Sequence, residues 1–167
     1  MADIPLIRPA ADGDLAAITG IYAHHVRHGT ASFETEAPGC EEMARRRAAI
    51  VERALPYVVA ELEGRVAGYA YAAPYRPRPA YRFTVEDSVY VDPEQTGRGI
   101  GRWLITEVIR LSAEAGAKQM VAIIGDSANG ASIRLHERAG FRQVGVLRDV
   151  GLKFGQWLDT VIMQRAL

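Results

Sequence analysis

Three glycines alternate within residues 97–101, between a strand-like run that ends at Val91 and a helix-like run that starts at Arg102. Glycine adopts backbone angles that are closed to other residues and lets a ligand approach the main chain. The N-terminus of a helix offers unpaired N–H groups and a partial positive charge. This combination predicts a phosphate-binding turn, where Arg98 and Arg102 would add full charges.

Two common phosphate motifs do not fit this turn. A P-loop requires Gly-x-x-x-x-Gly-Lys-Ser/Thr, which the chain lacks, so nucleoside triphosphate binding is not expected. The dinucleotide fingerprint is Gly-x-Gly-x-x-Gly. Its third position would be Arg102 when counted from Gly97, or Leu104 when counted from Gly99. A glycine-rich connection without a ligand is the alternative.

A second chemical signal is the segment Arg76-Pro77-Arg78. Prolines restrict the backbone, and the planar guanidinium groups suit a carboxylate or phosphinate. The alternative is a surface loop whose arginines pair with nearby acids.

Candidate proton carriers lie on the strand before the turn and on a later helix. Alternation along a strand puts Glu86 and Ser88 on one face and Asp87 and Val89 on the other. His136 has an ordinary pKa near ~6.5, which suits proton transfer at neutral pH. Its alternative is a histidine that bonds a neighbouring backbone group. His24, His25 and His28 lack such a context and are interpreted as helix-surface or helix-end residues.

The elements that position these residues follow from hydrophobic periodicity and turn signals. The strands are expected at 4–8, 57–61, 66–73, 82–91, 119–124, 141–153 and 158–164, and the helices at about 12–26, 41–53, 102–115 and 129–139. Asp12 and Asp14 are the N-cap candidates for the first helix. The two strands joined by the helix 102–115 should be parallel, with a right-handed crossover.

The composition fits a single domain over residues 1–167, with 20 basic and 20 acidic side chains and no net charge. That balance argues against a nucleic-acid partner. No apolar run is long enough to span a membrane, and residues 1–5 lack the pattern of a signal peptide. The single cysteine, Cys40, favours a cytoplasmic location and precedes two glutamates that would blunt its nucleophilicity. No metal-ligand spacing is present, so no metal is expected.

Together, two motifs resemble the GNAT superfamily of N-acetyltransferases. One is Gln-x-Gly-x-Gly-x-Gly at residues 95–101. The other is an Asn that opens a helix, a small residue three positions later and Gly-Phe after the helix, here Asn129, Ser132 and Gly140-Phe141. His136 occupies the position where many relatives have a tyrosine, which weakens any transfer of the tyrosine's general-acid role.

Further segments are similar to the phosphinothricin and methionine sulfoximine/sulfone acetyltransferase group, namely Ala73–Tyr81, Val85–Val91, Arg134–Glu137 and Gly151–Asp159. The resemblance runs from Ile7 to the final strand. It implies an α/β (α+β) GNAT fold, a mixed and mostly antiparallel sheet flanked by helices. Its central parallel strand pair would splay at an acetyl-CoA site.

The resemblance also implies roles for individual residues. Glu86 would be the catalytic base, and the Val91 N–H would donate to the oxyanion. From its own chemistry and not from the resemblance, His136 could protonate the CoA thiolate, polarise a substrate group or orient Glu86. The implied acetyl-CoA contacts are Val89, Tyr90, Val91, Gln95, Thr96, Gly97, Arg98, Gly99, Ile100, Gly101, Arg102, Asn129 and Ser132. The implied acceptor contacts are Phe33, Tyr75, Arg76, Arg78, Glu86 and Asp87.

The expected activity is direct acetyl transfer, within a ternary complex, to the α-amino group of phosphinothricin, methionine sulfoximine or methionine sulfone. Acetylation of a protein N-terminus, a lysine or a polyamine is an alternative, as is a non-catalytic acyl-CoA-binding module. A homodimer is expected by resemblance, with Lys153 and Trp157 near the site and contributed from the same or a partner subunit.

Overall fold

One mixed sheet of seven strands runs through residues 4–167, the part of the chain that the computed structural model describes. Residues 1–3, part of the segment for which no signal peptide is expected, lie outside it. The strands are β1 Leu6–Pro9, β2 Tyr57–Leu62, β3 Arg65–Pro74, β4 Thr84–Val91, β5 Gln119–Gly125, β6 Arg142–Lys153 and β7 Gln156–Ala166. The helices are α1 Leu15–His28, α2 Cys40–Glu52, α3 Ile100–Glu114 and α4 Gly130–Arg138.

The strand order is β1-β2-β3-β4-β5-β7-β6, and every neighbouring pair is antiparallel except β4 and β5. That parallel pairing spans only Thr84–Asp87 on β4 and Gln119–Ala122 on β5. Both strands continue beyond it, β4 to Val91 and β5 to Gly125. The expected fold class, with a parallel central pair that separates, is confirmed.

Helices cover both faces of the sheet. Alternation along β2 sends Val58, Ala60 and Leu62 into the layer beneath α3, whereas Tyr57 and Val59 join the layer beneath α1 and α2. The first layer includes an α3 stripe at four-residue spacing, Ile100, Leu104 and Val108. The second layer includes the α1 stripe Ile18, Ile21, Tyr22 and Val26. Residues of α4 pack on the same side as α3.

Several boundaries differ from the predictions. Helix α3 begins at Ile100, two residues before the predicted start, because Gly99 takes a left-handed φ of 78° and the chain turns helical directly after it. Asp14 precedes α1 but does not cap it with its side chain. Its carboxylate instead accepts hydrogen bonds from the Arg8 guanidinium and the Ala11 N–H.

Candidate active site

Beyond Asp87, the edge of β4 that faces β5 is no longer paired with a strand. Asp92 N–H donates to the Ala67 carbonyl at 2.9 Å, so these two residues form a hydrogen-bonded antiparallel pair. Such pairs alternate along a ladder, so Val91 and Val89 belong to non-hydrogen-bonded pairs with β3. Their N–H and C=O groups therefore point away from β3, into the gap towards β5. An extended ligand could pair with these amides as an added strand.

The carbonyl of Val91 already has a partner from α1. His25 Nε2 lies 2.8 Å from this oxygen, and a carbonyl can only accept, so Nε2 carries the proton. Burial lowers the pKa of His25, and the Val91 hydrogen bond only partly offsets this. His25 lies in the last turn of α1, which agrees with the prediction of a helix-end residue, but unlike exposed His24 and His28 it is half-buried and bonded to β4.

A cleft of about 650 Å³ separates the glycine turn and the start of α3 from α4. Gly97 and Gly99 have φ of 79° and 78°, and a Cβ added at either would meet nothing within 4 Å. No side chain caps the N-terminus of α3, so its first N–H groups face an open site. Such a surface fits a diphosphate. The predicted contacts that line the cleft are Val91, Gln95, Thr96, Gly97, Gly99, Ile100, Gly101 and Arg102.

Arg98 is placed differently from Arg102. Its side chain donates to the Gln95 amide oxygen at 2.6 Å and lines a separate cavity beside Arg8 and Asp92. The Arg98 side chain therefore lies outside the lining of the cleft, and its contact with the ligand stays a prediction. Arg134 and Arg138 of α4, which were not among the predicted contacts, line the cleft together with Arg102.

Asn129 and Ser132 lie at the start of α4, beside the gap. The Asn129 side-chain oxygen accepts the Ser132 N–H at 3.2 Å, which confirms its N-cap position. Both residues line a cavity of about 440 Å³ together with His25 and the backbone of β4 from Val89 to Val91. Because an amide has donors as well as an acceptor, Asn129 can cap α4 and still donate to a ligand.

Glu86 faces a further pocket, of about 270 Å³. Alternation places Ser88 and Tyr90 on the same face as Glu86, as the sequence predicted. The full lining is Ala31, Ser32, Phe33, Tyr71, Glu86, Ser88, Tyr90, Ile123, Gly125 and Thr160.

The Glu86 carboxyl has a perturbed pKa. Burial and, second, the negative charge of Asp87 raise it against the opposing positive charge of Arg76, and together these effects bring the pKa to about 6. A carboxylate with this pKa is a stronger base than an exposed glutamate and is still ionised at neutral pH. Glu86 therefore has the environment of a general base.

Of the other predicted acceptor residues, only Phe33 lines this pocket. Its ring occupies a slot between two glycines, because a Cβ at Gly125 would come within 2.8 Å of it and one at Gly151 within 2.3 Å. Tyr75, Arg76 and Arg78 lie outside the lining, in the segment after β3. The Arg76 guanidinium stacks on the Tyr75 ring at 5.0 Å, and its charge reaches Glu86.

Asp87 points to the opposite side and is 6% exposed, so its prediction as an acceptor contact is wrong. His136 Nε2 lies 2.9 Å from Asp87 Oδ2, and His136 Nδ1 lies 2.8 Å from the Ser132 carbonyl. His136 thus contacts Asp87 and not Glu86, so its predicted role of orienting Glu86 is wrong. The Ser132 carbonyl can only accept, so Nδ1 of His136 carries a proton. The contact between Nε2 and the Asp87 carboxylate requires a second proton.

The same contacts determine the direction of the His136 pKa shift. Burial lowers the pKa of His136, but the hydrogen bond and negative charge of Asp87, with the Ser132 carbonyl, outweigh burial and raise it overall. The ring also packs edge-on against Phe141, with centroids 5.0 Å apart. The pair therefore ties α4 to β4 across the parallel strands.

The segment between α1 and α2, residues 29–39, is fixed over the site. Lys153, 3% exposed, donates from Nζ to the carbonyls of Gly29 at 2.8 Å and Ser32 at 2.6 Å. Thr30 Oγ1 donates to Asp126 at 3.2 Å. Lys153 thus acts within its own chain by holding a wall of the pocket, whereas Trp157 is 63% exposed on the next strand.

The polar pocket residues Tyr71, Ser88 and Thr160 were not among the predicted site residues. Strand alternation would have found Ser88 once Glu86 was chosen, since the two share a face. Tyr71 lies directly opposite Ser88 on β3. That pairing requires the register, and Thr160 requires knowing that β7 follows β5 in the sheet.

Glu86 is a base that lies beside unpaired amides of β4, and these amides lead to a cleft that fits a diphosphate. Together these features define an acyl-CoA-dependent transferase. The profile of the Acetyltransferase (GNAT) family matches residues 15–141. The chain belongs to this family, and it is an N-acetyltransferase. Among residues 4–167, no group of three or more His, Cys, Asp or Glu side chains could hold a metal ion, and no helix is long and apolar enough to cross a membrane.

Named relatives and a solved structure resemble the chain over most of its length. A phosphinothricin N-acetyltransferase of Alcaligenes faecalis is 54% identical over 96% of this chain and 82% of the relative. An L-methionine sulfoximine/L-methionine sulfone acetyltransferase of Salmonella typhimurium is 40% identical over 96% of this chain and 94% of its own. The crystal structure of a phosphinothricin acetyltransferase from Sinorhizobium meliloti in complex with AcCoA has a TM-score of 0.95 and 45% identity, and covers 100% of this chain and 89% of that one.

Proposed function

We propose that this N-acetyltransferase transfers the acetyl group of acetyl-CoA to the α-amino group of phosphinothricin, methionine sulfoximine or methionine sulfone. Transfer is direct, within a ternary complex. The observation that carries the proposal is the half-buried Glu86, with its pKa raised to about 6, in a pocket beside the open amides of β4. The names of the relatives support this choice of acceptors.

Glu86 prepares the acceptor amine in this mechanism. An ammonium group has no lone pair, so it must lose a proton before it attacks an acyl carbon. Glu86 takes this proton directly or through one water molecule. Its pKa of about 6 leaves it ionised at neutral pH while making it more basic than an exposed glutamate.

The donor side uses backbone groups. Acetyl-CoA supplies an activated thioester when it is bound. The Val89 N–H and C=O pair with its pantetheine arm, and Asn129 donates to the same arm. The Val91 N–H stabilises the negative charge that develops on the acetyl oxygen. The glycine turn and the N-terminus of α3 hold the diphosphate.

The acceptor is recognised by its acid groups and its size. Arg76 and Arg78 bind the carboxylate or the oxidised phosphorus or sulfur group, since planar guanidinium groups match such oxygens. Phe33 and Tyr71 limit the size of the side chain. Arg76 lies close enough to Glu86 to lower the pKa of that carboxyl, so one acceptor could span both groups.

His136 acts in this proposal by positioning and not as a direct acid. Both ring nitrogens already have protein partners, Ser132 and Asp87, and the residue is 4% exposed. Its task is to keep α4, and with it Asn129, at a fixed distance from β4.

A panel of acceptors tests the proposal. The full chain is mixed with acetyl-CoA and each amine, and free CoA is measured with a thiol reagent. We expect turnover with phosphinothricin, methionine sulfoximine or methionine sulfone, and far less with unoxidised methionine, polyamines or peptides with a free N-terminus. No CoA release with any of the three analogues would refute the choice of substrate. CoA binding without turnover on any amine would point to a binding module.

We also propose a homodimer acting in the cytoplasm, where acetyl-CoA is available. Support comes from a patch on the edge strand β6 and its neighbour β7, where six large apolar side chains are exposed: Val144, Leu147, Val150, Leu152, Phe154 and Trp157. Sedimentation at micromolar concentration should give twice the monomer mass. Trp157→Glu should shift the mass towards the monomer, and a wild-type monomer would contradict the proposal.

A further inference from the structure

Three arginines converge on the cleft beside the glycine turn without a carboxylate partner. Arg102 lies in the first turn of α3, and Arg134 and Arg138 lie one turn apart on α4. Within residues 4–167, none of the three side chains makes an ion pair or hydrogen bond. Other arginines of the fold are paired, for example Arg8 with Asp14 and Arg110 with Glu107.

The shape of α4 brings two of these charges together. Residues four apart on a helix lie on the same face, so Arg134 and Arg138 can reach one anion. The Arg134 guanidinium runs back along the helix, because a Cβ built at Gly130 would lie 2.8 Å from Nη1. Helical side chains point towards the N-terminus in this way. Both residues line the cleft that the glycine turn borders from the other side.

The turn by itself suffices for a diphosphate, which would use the α3 N-terminus and Arg102. Two additional cations on the opposite wall indicate a second anionic group on the same ligand. The nucleotide end of CoA carries such a group, a 3′-phosphate monoester with a charge of roughly −1.5 to −2 at neutral pH.

We propose that Arg134 and Arg138 form the binding site for the 3′-phosphate of the acyl-CoA substrate and select CoA over its 3′-dephospho form. This inference rests on the proposed function, because it assumes that the diphosphate occupies the glycine turn. Two guanidinium groups can share the three oxygens of one phosphate through charge-assisted hydrogen bonds.

The test changes the arginines and the 3′-phosphate separately and together, and calorimetric titration measures binding in each combination. Dissociation constants of CoA and 3′-dephospho-CoA are determined for the wild type and for the double variant R134Q/R138Q. Wild type should bind CoA about tenfold more tightly than 3′-dephospho-CoA, a factor typical of hydrogen bonds to charged groups. The double variant should lose this preference while its affinity for 3′-dephospho-CoA stays unchanged.

The control is Arg53→Gln, which removes one arginine charge at the end of α2, beneath the other face of the sheet. It should keep the full preference for CoA. If the double variant keeps the preference for CoA, or loses equal affinity for both ligands, the arginines do not bind the 3′-phosphate. This inference then fails while the proposed function stands. If wild type binds neither ligand, the proposed function fails with it.

Discussion

Glu86 and Asp87 are adjacent on β4 and face opposite sides of the sheet, yet the charge of Asp87 helps to raise the pKa of Glu86. One residue lines the acceptor pocket and the other is buried against His136. The strand thus separates two carboxyl groups into different environments while keeping them close enough to interact. Burial remains the larger cause of the Glu86 shift.

Replacing the proposed base should abolish most turnover without weakening CoA binding. Glu86→Gln keeps the shape of the side chain but cannot accept the ammonium proton. We expect kcat to fall by about 10²- to 10⁴-fold, the usual contribution of general base catalysis. Steady-state kinetics and CoA titration measure the two effects. The control Glu63→Gln alters an exposed residue of the β2–β3 turn and should have no effect. Equal losses of kcat and CoA affinity would count against the assignment.

The pH profile should respond to the two charges that act on Glu86. Because the pKa of Glu86 is about 6, kcat/KM should rise with pH through that value as the carboxyl ionises. Arg76 lowers this pKa, so Arg76→Gln should move the rise to higher pH. Asp87 raises it, so Asp87→Asn should move the rise to lower pH.

Measuring kcat/KM between pH 5 and 9, as a rough working range, compares the three profiles. Arg82→Gln is the control, since Arg82 lies in the same segment but stacks on Phe83 at 4.6 Å. Its profile should match the wild type. Shifts of both variants in the same direction would disprove the electrostatic account of Glu86.

The Asp87–His136 pair should make stability depend on pH. The folded state raises the pKa of His136, so the stabilisation is complete below the ordinary value and is lost as pH rises through the folded value. Wild type should therefore become less stable in mildly alkaline solution. In Asp87→Asn, the amide can donate to a neutral His136 ring, which should remove this dependence.

Urea unfolding at acid and alkaline pH measures the difference. His136→Ala leaves a buried carboxylate without its partner and should cost about 3–5 kcal/mol. If wild type and Asp87→Asn showed the same pH dependence, the charged pair would not be the cause.

Much of the fold was predictable because its signals are local. The glycine turn, the parallel pair around α3 and the opposite faces of Glu86 and Asp87 all follow from spacing within short segments. The contacts that complete the site join distant segments. His136 is 49 residues from Asp87, His25 is 66 residues from Val91, and Lys153 is 124 residues from Gly29. No periodicity within one element reports such contacts.

The position of Arg98 outside the lining of the cleft has a similar physical cause. Arg98 and Arg102 are four residues apart, a spacing that would place them on one face of a helix. The helix begins only at Ile100, after the left-handed Gly99, so the two side chains diverge. Arg134 and Arg138 do lie on one helix, and for them the same spacing holds.

His25 should support catalysis by holding the end of β4. It donates to the Val91 carbonyl, and the Asp92 N–H of the same peptide donates to Ala67, so this peptide is fixed at both ends. His25→Phe keeps a ring but removes the donor, which should free the peptide beside the Val91 N–H. We expect kcat/KM to fall about tenfold, in line with the loss of roughly one hydrogen bond of ~1 kcal/mol or slightly more.

A positioning role predicts a graded result. His25→Gln retains an N–H donor and should recover part of the loss, whereas His24→Gln changes an exposed neighbour and should leave kinetics unchanged. Because burial lowers the pKa of His25, the ring stays neutral and none of these variants should add or remove a limb of the pH profile near neutrality. Full kcat/KM in His25→Phe would show that the packing of α1 alone fixes the strand end.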